Sequence, residues 1–312
     1  MVSADITIGI LGDEDTDEIV ALYDRVSVTE PGIGPVPKPA WQRFVKMLQN
    51  LDGRDFRVAR SGQRIVALAE SHFKDQGQHL VRFCKLVVDP AYRRRGIATA
   101  LLNDLLKIDP QESFLTFQCL VHSSWITGLA FLRAFGFAYI ESEYGMRCSR
   151  LLPVAAYPLS SPVLERVAPP ESYAADIARI HNEAYRNDAA FRSFTTEEMT
   201  HELRGYELWI ARDDARVLGF CQIEREAALI WLESVAVDPN FQRSGLGTAL
   251  LYRVMQNAQL SNNHPAALNV SSKNPRAIAV YERLGFVKHQ ETQCFSAPRS
   301  NLVAAMARRE KE

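Results

Sequence analysis

The sequence predicts two tandem α/β domains, each a mixed sheet covered by helices. Three observations carry that reading: an internal repeat, strand and helix periods that recur in the same order in both copies, and a proline-rich break between them. Residues 86–102 read LVVDPAYRRRGIATALL and residues 235–251 read VAVDPNFQRSGLGTALL. The offset from Gly96 to Gly245 is 149, and it also aligns Asp89 with Asp238, Arg94 with Arg243 and Thr99 with Thr248. The same offset still holds where Gly136-Phe137 meets Gly285-Phe286. Upstream, Val58-Ala59-Arg60 matches Ile210-Ala211-Arg212 at an offset of 152, which a short loop insertion explains. The run LLPVAAYPLSSP has three prolines, two serines and no helical period, so it reads as a linker. The expected layout is domain one at 1–150, a linker at 151–163 and domain two at 164–312.

In the second copy, ESYAADIARIHNEAYR has apolar residues at helical spacing and EMTHELRGY suits a shorter helix. YELWIARD and RVLGFCQIE are strand-like and are separated by the turn-forming Asp213-Asp214. ALIWLESVAV is a long β-rich run that ends at Asp238-Pro239. After a glycine-containing loop, GTALLYRVMQNAQL is helical and AALNVSS is a buried strand. PRAIAVYERLGF starts a helix at Pro275 and stops it at Gly285, and FVKHQETQCFSA closes as a strand. The tail NLVAAMARREKE suits a short helix or a loose end. The first copy follows the same order.

The chain has 312 residues, enough for two cores, and its 36 basic and 37 acidic residues leave a net charge of -1. That balance argues against a nucleic-acid or membrane-surface binder. No apolar run is long enough to span a membrane and the start of the chain has no signal-peptide pattern, so a cytoplasmic location is expected. The five cysteines (Cys84, Cys119, Cys148, Cys221, Cys294) form no CxxC pair, and the histidines have no metal-ligand spacing. Reduced thiols and no metal are expected.

Gln242-Arg243-Ser244-Gly245-Leu246-Gly247-Thr248 lies between a strand and a helix. Unpaired N–H groups and partial positive charge at a helix start, glycines that admit close approach, and an arginine together suit a pyrophosphate. Alone, such a loop reads equally well as a tight turn. In context it follows Val-Ala-Val-Asp-Pro and precedes Asn274-x-x-Ala277-x-x-x-Tyr281-Glu-x-Leu-Gly-Phe. This combination resembles the GCN5-related N-acetyltransferase (GNAT) family, closely in the second copy and more loosely in the first, where Arg93-Arg-Arg-Gly96-Ile-Ala98 stands. The resemblance implies two tandem GNAT domains, each with a mixed, mostly antiparallel sheet flanked by helices, and acetyl-CoA as acyl donor. It also implies that Val235, Ala236 and Val237 offer backbone to the pantetheine arm, and that residues 242–248 hold the pyrophosphate. The corresponding residues of the first copy are Leu86, Val87 and Val88, then Arg94, Arg95, Gly96, Ile97, Ala98 and Thr99. The layout resembles that of the mycothiol synthases, with a degenerate copy ahead of an active one. The likeness is architectural and assigns no mycothiol chemistry.

Aminolysis of a thioester needs a base for the ammonium proton and a proton for the departing thiolate. Glu233, flanked by apolar residues in IWLESVAV, is the candidate base, because burial would raise its pKa toward the working range. The resemblance points the same way, since GNAT enzymes often place their base on this strand; an edge carboxylate or an arginine partner is the alternative. Tyr281 is the candidate acid by its motif position, or a packed core tyrosine. Asn274 either touches cofactor or caps the helix that starts at Pro275. In the first copy these positions hold Cys84, Leu132 and Trp125, so that copy is expected to bind CoA or to be structural. No base is evident for Cys84 as a nucleophile, so a buried thiol is expected there. His72, His79 and His122 read as surface or satisfied histidines. Acceptor determinants are expected in the N-terminal arms: a proline-rich segment at 28–41, and 187–202, where Asp188, Glu197 and Glu198 either attract a cationic amine or cap a helix. The leading function is acetyl transfer to the primary amine of a small molecule. A protein or peptide N-acetyltransferase and a non-catalytic CoA-binding module are the alternatives.

Overall fold

The computed structural model describes residues 5–30, 33–34, 36–39, 41–42, 45, 55–75, 80–108, 115–153, 162–186, 193–214, 216–226, 228–262 and 264–309. Asp188, His79, most of the linker and part of the 28–41 segment lie outside them. The chain divides into two compact units: Met1–Glu141 with Thr292–Glu312, and Ser142–Glu291.

In the first unit, β1 (Ile6–Ile10), β2 (Asp55–Ser61), β3 (Arg64–Asp75) and β4 (Leu80–Val88) form an antiparallel meander, and β5 (Thr116–His122) joins β4 in parallel. Helix α1 (Thr16–Ser27) lies over one face; α2 (Ile97–Ile108) and α3 (Ile126–Ala134) belong to the core on the other. In the second unit, β7 (Val163–Val167), β8 (Glu207–Asp213), β9 (Arg216–Arg225) and β10 (Ile230–Val237) repeat the meander, and β11 (Ala266–Ser271) is parallel to β10. Its helices are α4 (Ala174–Ala184), α5 (Thr196–Glu202), α6 (Leu246–Asn262) and α7 (Pro275–Arg283). Buried aliphatic and aromatic side chains such as Phe220, Leu250 and Phe286 fill its core, each contributing about 1.5–3 kcal/mol by leaving water.

The units differ from the sequence boundaries at their C-terminal strands. The second half of β6 (Ala138–Cys148) pairs antiparallel with β11, from Glu143–Ser271 to Cys148–Ala266. The second half of β12 (Val287–Pro298) pairs antiparallel with β5, from Thr292–His122 to Pro298–Thr116. Each copy's last strand therefore completes the sheet of the other compact unit. Helix α8 (Arg299–Arg309) follows β12 into the first unit, where Leu302, Ala305 and Met306 are buried and Arg299 donates to Leu106 O at 2.8 Å.

At the end of the fourth strand of each meander a buried aspartate ties strand, helix and loop together. Asp238 accepts bonds from Arg179 of α4 at 2.8 Å and Arg216 of β9 at 3.0 Å, and from the N–H of Asn240 at 3.0 Å. Asp89 does the same with Arg25 at 2.7 Å, Arg64 at 3.0 Å and Ala91 N–H at 3.0 Å. Burial pushes both carboxyls up, but the bonds they accept outweigh it and hold their pKa values below the usual range.

A pKa depressed in the folded state stabilises above the unfolded value, near 3.9, and the contribution is lost as pH falls through the folded value. Asp238→Asn should thus cost about 2 kcal/mol at pH 7, the order of a hydrogen bond to a charged group, and should flatten the loss of stability expected of the parent below about pH 4. Urea titrations at pH 7 and pH 3.5 check both. A chain ending at Glu291 should lose hydrogen-exchange protection in β5 while β11 keeps its own; the reverse pattern would contradict the exchanged pairing.

Candidate active site

Strand β10 carries the candidate base. Its pairing with β9 runs from Ile230 to Leu232, skips Glu233 and resumes with Ser234 opposite Gln222. This is a β-bulge, which re-aims the extra side chain and bends the strand. Parallel pairing of β10 with β11 is limited to Ile230–Ala266 and Trp231–Ala267, so the ladder ends just before the bulge. In the first unit β3 and β4 pair without a shift through Cys84, and β4–β5 pairing extends to Cys84–Cys119.

Glu233 reaches solvent and accepts a hydrogen bond from Trp231 Nε1 at 2.8 Å. Enough protein crowds its carboxyl to remove part of its hydration, which raises its pKa; the Trp231 bond opposes, and Glu202 and Glu224 raise it further. Tyr206 belongs to the same group, its hydroxyl pushed up to about 12 by burial and by Glu233, Glu202 and Glu224. No arginine or lysine pairs with Glu233 among the described residues. Glu202, Tyr206 and Glu224 have no motif spacing, and only the fold brings them to Glu233; Trp231 is its neighbour two residues back on β10.

Tyr281 is buried in α7 and belongs to the core cluster that includes Leu232 and Cys221. Its ring lies 5.8 Å from that of Phe286. Burial, with Tyr185 and Cys221, pushes its hydroxyl upward, so it stays protonated through the physiological range. Asn274 caps α7, its Oδ1 accepting from Ala277 N–H at 3.1 Å.

Tyr185, which ends α4, was not legible in the sequence. Its hydroxyl donates to Val235 O at 2.8 Å, accepts from Val235 N–H at 3.2 Å and lies 3.4 Å from Ser234 Oγ. Val235, expected to offer backbone to pantetheine, thus has both of its backbone groups engaged by Tyr185. Ala236 is buried beside α4 residues, and Val237 packs near Leu246 and Phe241.

The loop from Gln242 to Thr248 is a tight cradle. Arg243 has φ 62° and Gly245 φ 87°, and the first copy repeats this with Arg94 at 63° and Gly96 at 76°. A non-glycine residue in the left-handed region persists only where its surroundings over-determine it, and such residues concentrate at binding sites. Gln242 donates to Val237 O at 3.1 Å, and Ser244 donates to Phe241 O at 2.8 Å. Ala249 N–H bonds Gly245 O at 3.0 Å, so the N–H groups before Ala249 precede the helical ladder of α6. The site also depends on Gly219 of β9, where a Cβ would stand 2.9 Å from Ala236 O.

In the first unit the corresponding residues line a cavity of about 1080 Å³. Leu86, Val87, Val88, Arg94, Gly96, Ile97, Ala98 and Thr99 are on its wall, with Cys84 and Leu132. Arg95 turns away: its guanidinium lies 5.0 Å from the Tyr92 ring centroid and bonds Ala91 O at 3.3 Å. Cys84 is buried against the apolar core. The cavity also holds Glu70, raised by burial against the influence of Lys85. Of the acidic residues expected to attract an amine, Glu198 closes a capping box with Thr195 and Glu197 is exposed in the same first turn. No helix among the described residues is long and apolar enough to cross a membrane.

The family model "Acetyltransferase (GNAT) family" matches residues 20–137 and 174–286. A mycothiol acetyltransferase of Streptomyces coelicolor is 24% identical over 306 residues, covering 91% of this chain and 92% of that protein. The [Ribosomal protein bS18]-alanine N-acetyltransferase of Escherichia coli (strain K12) is 44% identical over 55 residues, covering 18% of this chain and 37% of that protein. Among solved structures, a tandem GNAT protein from the clavulanic acid biosynthesis pathway aligns with a TM-score of 0.73 at 21% identity, covering 94% of this chain and 98% of its own. A GCN5-related N-acetyltransferase from Sphaerobacter thermophilus aligns with a TM-score of 0.73 at 18% identity over 96% and 97% of the two chains. With a match in each half, this chain belongs to the GNAT acetyltransferase family and is an acyltransferase of the N-acetyltransferase type.

Proposed function

We propose that the C-terminal domain transfers an acetyl group from acetyl-CoA to the primary amine of a small molecule, with Glu233 as general base and Tyr281 as general acid. The observation that carries this reading is the bulge at Glu233, just past the point where β10 and β11 stop pairing. Bound acetyl-CoA would supply the acyl group as a thioester. The cradle of 242–248 would hold its pyrophosphate through backbone N–H groups and Arg243, and the backbone of 235–237 would receive its pantetheine arm once Tyr185 releases Val235.

Glu233 accepts the ammonium proton of the acceptor, directly or through water, and its raised pKa brings it nearer the working range. Tyr281, protonated at neutral pH, offers its O–H to the departing sulfur. The carboxylates of Glu202 and Glu224 around Glu233 favour a cationic acceptor entering from solvent. A small-molecule acceptor is further supported by the full-length likeness to mycothiol acetyltransferases. A protein N-acetyltransferase is the second reading, favoured by the 44% identity to the bS18-alanine enzyme, which spans only 18% of the chain. The N-terminal domain, with Cys84 and Leu132 at the two proton-transfer positions, contributes no transfer through them. Its cavity keeps the loop that would hold CoA.

With an acceptor found by screening amines for release of CoA thiol, Glu233→Gln should lower turnover ~10²–10⁴-fold while leaving CoA affinity nearly intact. Unchanged turnover would make Glu233 structural. Gly245→Asp puts a charged side chain at φ 87° in the cradle. It should abolish turnover and the thermal stabilisation that acetyl-CoA gives the C-terminal unit. Gly96→Asp should leave turnover in place, and the opposite pair of outcomes would move the active site to the N-terminal half.

A further inference from the structure

Trp231 and Glu233 are two residues apart on β10, and the bulge falls on Glu233. The indole Nε1–H of Trp231 donates to Glu233 Oε2 at 2.8 Å, a charge-assisted bond of ordinary length. It is the one hydrogen bond to the Glu233 carboxyl among the described residues. On its own strand Trp231 sits in the last parallel pair with β11, opposite Ala267, and across β9 it faces Glu224. The paired strands on both sides therefore anchor the donor, whereas Glu233 stands in the bulge where pairing lapses.

We propose that Trp231 is the positioning residue of the catalytic base: its indole N–H fixes one oxygen of Glu233 and leaves the other oxygen to the acceptor amine. This rests on the reading of Glu233 as base. The charged and titratable groups that face Glu233 are Glu202 at the end of α5, Tyr206 in the loop that follows and Glu224 on β9. The carboxylates repel a third negative charge, and the tyrosine is neutral at working pH. Trp231 opposes them, since a bond donated to a carboxylate favours its charged form. Without that donor the two neighbouring carboxylates raise the proton affinity of Glu233, so the base takes a proton from solvent at a higher pH and is silenced sooner as pH falls. The base must be ionised to act, so activity rises with pH through its pKa, and a lost donor moves that rise to higher pH.

Two measurements on the full chain test this. In the first, kcat/KM is followed against pH for the parent, Trp231→Phe and Glu233→Gln. Trp231→Phe should move the acid limb upward by about one pH unit, the order expected for one bond to a charged group, and leave the KM for acetyl-CoA unchanged. Glu233→Gln should lose the limb. The second needs no change at Trp231. Four tryptophans give four indole N–H resonances, and that of Trp231 should titrate in the parent and stop titrating in Glu233→Gln. If Glu233→Gln stops turnover while the Trp231→Phe limb stays in place, or the Trp231 resonance does not titrate, the positioning role is overturned and the base stands. If Glu233→Gln leaves turnover intact, the base reading itself fails, and with it this role.

Discussion

The buried aspartate at the end of β10 is the constraint on which the site depends. Asp238 is fully buried and is bonded by Arg179 from α4, Arg216 from β9 and the backbone of the following turn. A carboxylate in that position is costly unless every lone pair is used, and here arginines and N–H groups use them. The result fixes three elements against one point: α4, β9 and the turn that leads into the loop of residues 242–248. Asp89 repeats the arrangement with Arg25, Arg64 and Ala91. Both copies carry the anchor together with left-handed residues at equivalent positions of the loop that follows.

With the anchor common to both halves, one divergence lies in the strand before it. β10 breaks its register at Glu233, and its parallel partner falls away after Trp231. β4 keeps its register and stays paired through Cys84. One extra residue in a ladder therefore separates a strand that projects a carboxyl toward solvent beside two other carboxyls from one that buries a thiol. The difference is physical before it is chemical: a side chain at a regular position is committed to one face of the sheet, whereas a bulged one is not.

Tyr185 adds a second consequence of the opened ladder. Where a strand loses its neighbour, its N–H and C=O groups need other partners. Val235 finds both in one phenolic hydroxyl. The hydroxyl also stands near Ser234 and acts on Tyr281, so the acyl end of the proposed site is a joined polar group rather than two isolated residues.

Much of this was legible in the amino-acid sequence. The repeat at a fixed offset, the strand–glycine loop–helix signal and the helix between Asn274 and Gly285 are local patterns, and local patterns follow from backbone sterics and periodicity. The base candidate was legible as a charge amid apolar residues, and Asn274 as a cap. Two short strands, β1 and β7, leave no mark in the sequence, because five residues carry little periodicity. Nor could the sequence show that Arg95 turns onto Tyr92, whereas the use of Glu198 by its own helix start was one of the two readings it offered. Apart from Trp231, two residues back on the same strand, the partners of Glu233 come from α5, the loop after it and β9, and no spacing rule links them. The exchange of the last strands is the clearest case. Alternation along β6 and β12 specifies which face of a sheet each strand presents, but not which sheet edge accepts it. Both copies offer nearly the same edge, so the choice was left to the tertiary structure, where the packing of α8 and the pairing along β5 and β11 decide it.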